Sequence, residues 1–370
     1  MTDLISINLP KIGDEETQAV VRVMRSGLLT SGLGAGPNVS EFEKNYAGFA
    51  GVKHAVAVNT GTAALHAALM ACGIKSGDEV ILPSFTFVAT AEAVMLAGGK
   101  PVFTDIDPQT YTLSPQAIEK AITKKTKAVL PVDLYGLPAD MKPIREITSK
   151  HGLFFVEDCA QSHGATYFGK PAGATADLAC WSLYAAKNIG TGEGGMVTTD
   201  DDELDEKARM VRTHGEKVKY QSRMLGTNYR MTEIQAAIGI EQLKKLPRFF
   251  EARSRNAAHL TKLFEESDKL VLPPKLANRN PSWYLYTVRI KDATESRRNK
   301  VIEEMHQNGI GAEVYYPIPV HHMPYYKENF GKFKLAETEK AAEQVLSLPI
   351  HPGVTDEQVD FIAKTFLSLL

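Results

Sequence analysis

Residues 54–96 read HAVAVNTGTAALHAALMACGIKSGDEVILPSFTFVATAEAVML. The block opens on a short apolar run, His54 to Val58, that predicts a strand. The small-residue segment Thr62 to Ala71 predicts a helix. A second apolar run, Glu79 to Leu82, predicts another strand, and a further helix is expected from about Thr86 to Leu96. Apolar strands that alternate with helices are the pattern of a parallel sheet covered on both faces.

The same alternation extends outward. Pro101 to Asp105, Ala128 to Val132 and Leu153 to Glu157 are read as strands, with helices over Ser114 to Ile122 and Met141 to Lys150 between them. The expectation is an α/β fold with a mostly parallel sheet between helices. In such sheets ligands collect beyond the carboxyl ends of the strands, so the chemistry should lie in the loops that follow them. After Ala176 the pattern changes. Leu178 to Tyr184 and Gly195 to Thr199 read as strands around a glycine-rich turn, and long helices are expected over Asp202 to Arg212 and Thr232 to Phe264. The Pro- and Asn-rich stretch Leu272 to Ser282 reads as a linker. Beyond it come a strand, Trp283 to Ile290, and helices over Thr294 to Gln307 and Asp356 to Leu369. This tail suggests a smaller α+β domain, with a large domain expected over 1–245 and the small one over 246–370.

Composition narrows the function. Lys and Arg total 42 against 44 Asp and Glu, so the net charge is -2 and no basic excess exists for a nucleic-acid backbone. The three cysteines, Cys72, Cys159 and Cys180, are an odd number at no zinc spacing, which fits a reducing, cytoplasmic setting. Met1 to Pro10 shows no apolar leader, and no apolar run reaches the roughly 20 residues of a membrane helix. Neither nucleic acid nor membrane is expected as a partner.

Several motifs admit a chemical and a plain reading. Gly32-Leu33-Gly34-Ala35-Gly36 lacks the preceding strand of a dinucleotide site and reads as a flexible loop. Asn59-Thr60-Gly61-Thr62 follows a strand and opens a helix, where free N–H groups and the helix dipole suit a phosphate; a capped helix packed through small residues is the alternative. Glu157-Asp158-Cys159-Ala160-Gln161 ends a strand. A carboxylate there is desolvated and needs a cationic or hydrogen-bonding partner, unless Asp158 merely caps a helix. In Ser182-Leu183-Tyr184-Ala185-Ala186-Lys187-Asn188, the lysine precedes a glycine turn and can project into a cleft, where burial frees its amine as a nucleophile. His321-His322 share no helix face and have no carboxylate three or four residues away, so a pocket wall is read there and no metal site.

Taken together, Asn59–Leu65, Pro83–Thr90, Val156–Gly164, Ser182–Val197 and Gly226–Ala237, with Tyr316-Pro317 and Pro319-Val320-His321, resemble the DegT/DnrJ/EryC1/StrS family of sugar aminotransferases. That family has the aspartate-aminotransferase (type I) fold of pyridoxal-phosphate (PLP) enzymes, with a seven-stranded sheet. The resemblance implies PLP as cofactor, Lys187 as the lysine that carries it and moves the substrate proton, and Asp158 as the partner of the pyridinium nitrogen. It implies Gln161 at the ring hydroxyl, Phe87 stacked on the ring, and Gly61, Thr62 and Ser182 at the phosphate. Asn228 matches a phosphate ligand that reaches in from the other subunit, which implies a homodimer with shared active sites. The implied reaction moves an amino group from L-glutamate to C3 or C4 of a nucleotide-linked keto-deoxysugar. A dehydratase branch has histidine where this chain has Lys187; that branch, and a regulatory protein that kept the fold, are the alternatives. Tyr220, Tyr315, Tyr316, His321 and His322 are candidate wall residues.

Overall fold

The structure is a computed structural model that describes residues 4–370; residues 1–3 of the stretch read for a leader lie outside it. Seven strands form the central sheet: β1 (His54–Val58), β2 (Glu79–Pro83), β3 (Lys100–Thr104), β4 (Thr126–Val129), β5 (Phe154–Asp158), β6 (Leu178–Ser182) and β7 (Gly195–Thr199). Their spatial order is β1-β7-β6-β5-β4-β2-β3. β6, β5, β4, β2 and β3 are mutually parallel, and β7 runs antiparallel to both of its neighbours. The sheet is therefore α/β and mainly parallel, as the alternation predicts.

Successive side chains on each strand enter opposite layers. Val56, Val58, Cys180 and Val197 pack under the helices Gly61–Ala71, Ala89–Leu96 and Asp202–Arg212. Ala55, Ala57, Ala179 and Trp181 face Pro37–Ala50 and the first half of the long helix Glu233–Phe264. Helix Gly61–Ala71 lies close to the sheet because Ala63, Ala64, Ala67 and Ala68 line its buried side.

A separate core gathers the antiparallel strands Leu270–Val271, Tyr286–Ile290 and Val345–Leu348 with the helices Glu295–Gln307 and Asp356–Leu369. Helix Glu233–Phe264 serves both cores. Ala236, Ile240 and Leu246 sit in the large one, and Ala257, Leu260 and Phe264 in the small one. The position 245/246 thus falls within a continuous helix. The stretch read as a linker is pinned down as well: Arg279–Asn280 pairs with Thr166–Tyr167, and the Ser282 N–H donates to the Gly136 carbonyl at 2.8 Å.

Other boundaries and elements differ from the sequence reading. The helix expected from Thr86 starts at Ala89, because Ser84 to Val88 turn away from the strand end. Helices Asp14–Ser26 and Pro37–Ala50 were not expected at all. The glycine run before the second of these is a packed turn rather than a loose loop: a Cβ on Gly34 would lie 2.7 Å from Arg212 Nε.

Candidate active site

The carboxyl ends of β1, β2, β5 and β6 open on one edge of the sheet, and β7 begins there, since Gly195 pairs with both Val58 and Ser182. Thr60 caps helix Gly61–Ala71 by accepting the Ala63 N–H at 3.0 Å. This leaves the N–H groups of the first turn, at Gly61 and Thr62, free at the positive end of the helix. Ser182 closes against this turn so tightly that a Cβ on Gly61 would lie 2.8 Å from the Ser182 Cβ. Only glycine permits that approach.

Asp158, at the end of β5, is buried; it accepts the Thr90 hydroxyl at 2.9 Å and the Ala160 N–H at 3.1 Å. Burial pushes its carboxyl above the usual range, against the pull of these donors and of the Lys187 charge. Lys187 stands in the loop between β6 and β7. Its N–H donates to the Tyr184 carbonyl at 2.9 Å, and Ala185 N–H to the Gly192 carbonyl at 2.9 Å folds the loop back on itself. The ammonium lies 4.6 Å from the centre of the Tyr284 ring. Burial pushes it down to about 8, with Asp158 acting in the opposite direction.

Gln161 is also buried. Its side-chain oxygen accepts the Tyr135 N–H at 2.7 Å, and its amide nitrogen donates to the Tyr316 hydroxyl at 3.2 Å. Phe87 is half-exposed, with its ring centre 5.9 Å from that of Tyr316. Lys187, Asp158, Gln161, Gly61, Thr62, Ser182 and Phe87 therefore share one end of the sheet. Asn228 is exposed, in the loop that follows the hairpin strands Glu216–Val218 and Gln221–Ser222 and passes the end of β1, where the Tyr229 carbonyl accepts the Asn59 N–H at 2.9 Å. Of the candidate wall residues, Tyr315 and Tyr316 reach this end. Tyr220 is 84% exposed at the hairpin tip, and His321 and His322 lie behind Ser84.

Three residues acquire roles that their own motifs do not announce. Thr90 orients Asp158, and Tyr284 walls in the lysine. Asn188 ties the lysine loop to the carbonyls of His163 and Ser282, at 3.3 and 3.1 Å. The Thr86/Thr90 pair, four residues apart after a strand end, was the available sign of the first. Tyr284 and Asn188 act through chain segments distant in sequence.

These residues fit PLP. A helix start and the Ser182 hydroxyl can hold its phosphate, and the glycine at 61 clears the approach. A buried carboxylate short of a cation is matched by the pyridinium nitrogen, and a partly neutral amine by the aldehyde.

Comparison with known proteins agrees. The sequence profile of the DegT/DnrJ/EryC1/StrS aminotransferase family matches residues 10–367. The chain is 40% identical to GDP-perosamine synthase of Caulobacter vibrioides over 366 residues, covering 97% of this chain and 97% of that protein. It is also 40% identical over 349 residues to a pleiotropic regulatory protein of Geobacillus stearothermophilus, covering 93% of this chain and 92% of that one. The crystal structure of S. venezuelae DesV in complex with a ketimine intermediate superimposes with a TM-score of 0.90 at 39% identity, over 95% of this chain and 93% of that one. Likeness in sequence and structure over nearly the whole length leaves one assignment: this chain belongs to the PLP-dependent DegT/DnrJ/EryC1/StrS aminotransferase family.

Proposed function

We propose that the protein transfers an amino group from L-glutamate to C3 or C4 of a nucleotide-linked keto-deoxysugar. The observation that carries this reading is the amine of Lys187, held down to about 8 in the same cleft as the buried carboxylate Asp158. PLP supplies an electron sink for the substrate carbon while its ring nitrogen stays protonated. In that frame Asp158 holds the proton at the ring nitrogen, and Thr90 and Ala160 hold Asp158. Lys187 would be the residue that holds the cofactor covalently, and its free amine would serve as the base that moves a proton from the substrate carbon. Phe87 would flank the cofactor ring, and Gln161 is aimed by the Tyr135 N–H. Lysine at 187, where the dehydratase branch has histidine, favours amino transfer over dehydration. An intact lysine and carboxylate also speak for catalysis over a purely regulatory role, despite the regulatory relative.

The active unit is a homodimer with shared sites. Among the described residues the Asn228 side chain has no hydrogen-bond partner, so its amide is available to another subunit. Val21, Met24, Leu28, Leu29 and Leu33 are exposed apolar residues of the N-terminal segment. The Leu29 carbonyl accepts the Glu233 N–H at 3.0 Å, which sets this apolar surface close to the segment of Asn228. The three cysteines are buried free thiols, which supports a cytoplasmic location, and among the described residues no helix is long and apolar enough to cross a membrane.

An amino-transfer assay with glutamate across 3-keto and 4-keto nucleotide sugars tests the reaction. Turnover of one ketone, lost in Lys187→Ala, is expected. Borohydride reduction and peptide mapping should place the pyridoxyl group on Lys187. A protein that carries PLP there but aminates no ketone would return the choice to dehydration or regulation.

A further inference from the structure

Outside the cleft, one cluster of ligating side chains has no part in amino transfer. His321 and His322 lie on the short turn Val320–His322, and Glu339 on helix Ala336–Gln344. The Nε2 atoms of His321 and His322 stand 3.4 and 3.5 Å from the same Glu339 Oε1, and the two imidazole centres are 4.1 Å apart. All three ligand atoms lie within 4.8 Å of one another. Chain separation hid this arrangement from the sequence reading, because the carboxylate arrives 18 residues after His321.

The distances discriminate between two explanations. Good hydrogen bonds between such atoms run at about 2.7–3.2 Å, so neither imidazole is well bonded to the carboxylate. Bonds of about 2.0–2.2 Å to a tetrahedral zinc set neighbouring ligand atoms about 3.3–3.6 Å apart. Both histidine–glutamate edges have that length.

The surroundings suit a metal as well. His321 Nδ1 lies 2.6 Å from the Ser84 hydroxyl, whose oxygen can accept the Nδ1–H and so leave an unprotonated Nε2 free as a ligand. The His321 side chain is fully buried and its ring stacks on Phe333 at 5.0 Å. Glu339 is steadied by the Leu335 N–H at 3.0 Å. The side chains of His322 and Glu339 keep 35% and 23% of their surface exposed, which provides an entry path and room for water as fourth ligand. A second cluster, Asp133, Glu157 and Cys159, is wholly buried and has no such access.

We propose that His321, His322 and Glu339 form a binding site for a divalent transition metal, with zinc the fitting ion. Two imidazoles and one carboxylate select against magnesium and calcium, which take oxygen ligands. The ion would fasten the turn after Tyr315 and Tyr316 to helix Ala336–Gln344, and through Ser84 to the segment that carries Phe87.

The test uses untagged, PLP-loaded protein, freed of metal with a chelator, dialysed, and titrated with zinc chloride by calorimetry and elemental analysis. One zinc per chain is expected, with a dissociation constant on the order of micromolar or tighter. Glu339→Gln keeps an oxygen for the Leu335 N–H, and so the fold, but should weaken zinc binding by about 10–100-fold, as should His322→Ala. Zinc should raise the melting temperature of the parent and not of Glu339→Gln. Magnesium chloride should not bind, and His214→Ala, at an exposed histidine elsewhere, should bind zinc like the parent. Absence of stoichiometric zinc, or parental affinity in both site variants, would overturn the proposal.

Discussion

In the role proposed for it, Lys187 must satisfy opposing demands: it has to be neutral to attack and charged to return a proton. An ordinary lysine near 10.5 is neutral in only about 0.03% of molecules at pH 7, whereas one at about 8 is neutral in about a tenth. Capture of PLP by the cofactor-free protein is therefore expected to quicken about tenfold per pH unit below 8 and to level off above it. Asp158 supports the ammonium, so Asp158→Asn should move that midpoint to lower pH. The same change should cut amino transfer on the order of 100-fold or more, because an amide cannot keep the ring nitrogen protonated. Stopped-flow absorbance gives the first quantity and steady-state kinetics the second. An unmoved midpoint together with near-normal kcat would contradict the pairing of these residues.

At the scale of elements, the start of helix Gly61–Ala71 is the proposed seat of the cofactor phosphate. Helix propensity alone favours alanine over Gly61 by about 1 kcal/mol. The contact with Ser182 opposes it, since the new Cβ would lie 2.8 Å from the Ser182 Cβ and 3.2 Å from its Cα. Ser182 cannot retreat, because its strand is paired with Gly195. Gly61→Ala should therefore destabilise the protein by about 1–3 kcal/mol and speed PLP loss. Equilibrium denaturation and PLP off-rates check this, and a more stable variant would refute it. The strands around this helix were legible because buried parallel strands are continuous apolar runs, and Asp158, Ser182 and Lys187 because each closely follows such a run. Helix Asp14–Ser26 lies outside that alternation, although Ala19, Val20, Val23 and Met24 recur in it at helical spacing. Tyr284 and Glu339 were hidden, as tertiary pairing and not local spacing brings them to their partners, whereas Thr90 left a sign in its spacing from Thr86.

For the whole molecule, the proposed activity depends on whether one chain suffices. Lys187→Ala and Asn228→Ala should each be impaired alone, the second through PLP retention weakened by roughly one to two decades, the worth of a hydrogen bond to a charged group. Mixed under conditions that exchange subunits, the two variants should regain part of the activity, because one composite site then holds both native residues. Verified mixed dimers without recovery would show that Asn228 does not act across the interface. Within each chain the helix Glu233–Phe264 raises a different matter, that of how the protein comes apart. A border drawn at residue 245 divides the sequence, but it cuts through a rod whose two ends are anchored in different cores. Neither core can melt without stripping the other of a wall. Scanning calorimetry of the PLP-free protein should accordingly record a single endotherm, with calorimetric and van't Hoff enthalpies in agreement for the dissociating unit. A fragment ending at 245 should expose the severed rod and aggregate, so the small lobe is a graft onto the large one and not a module that could be traded.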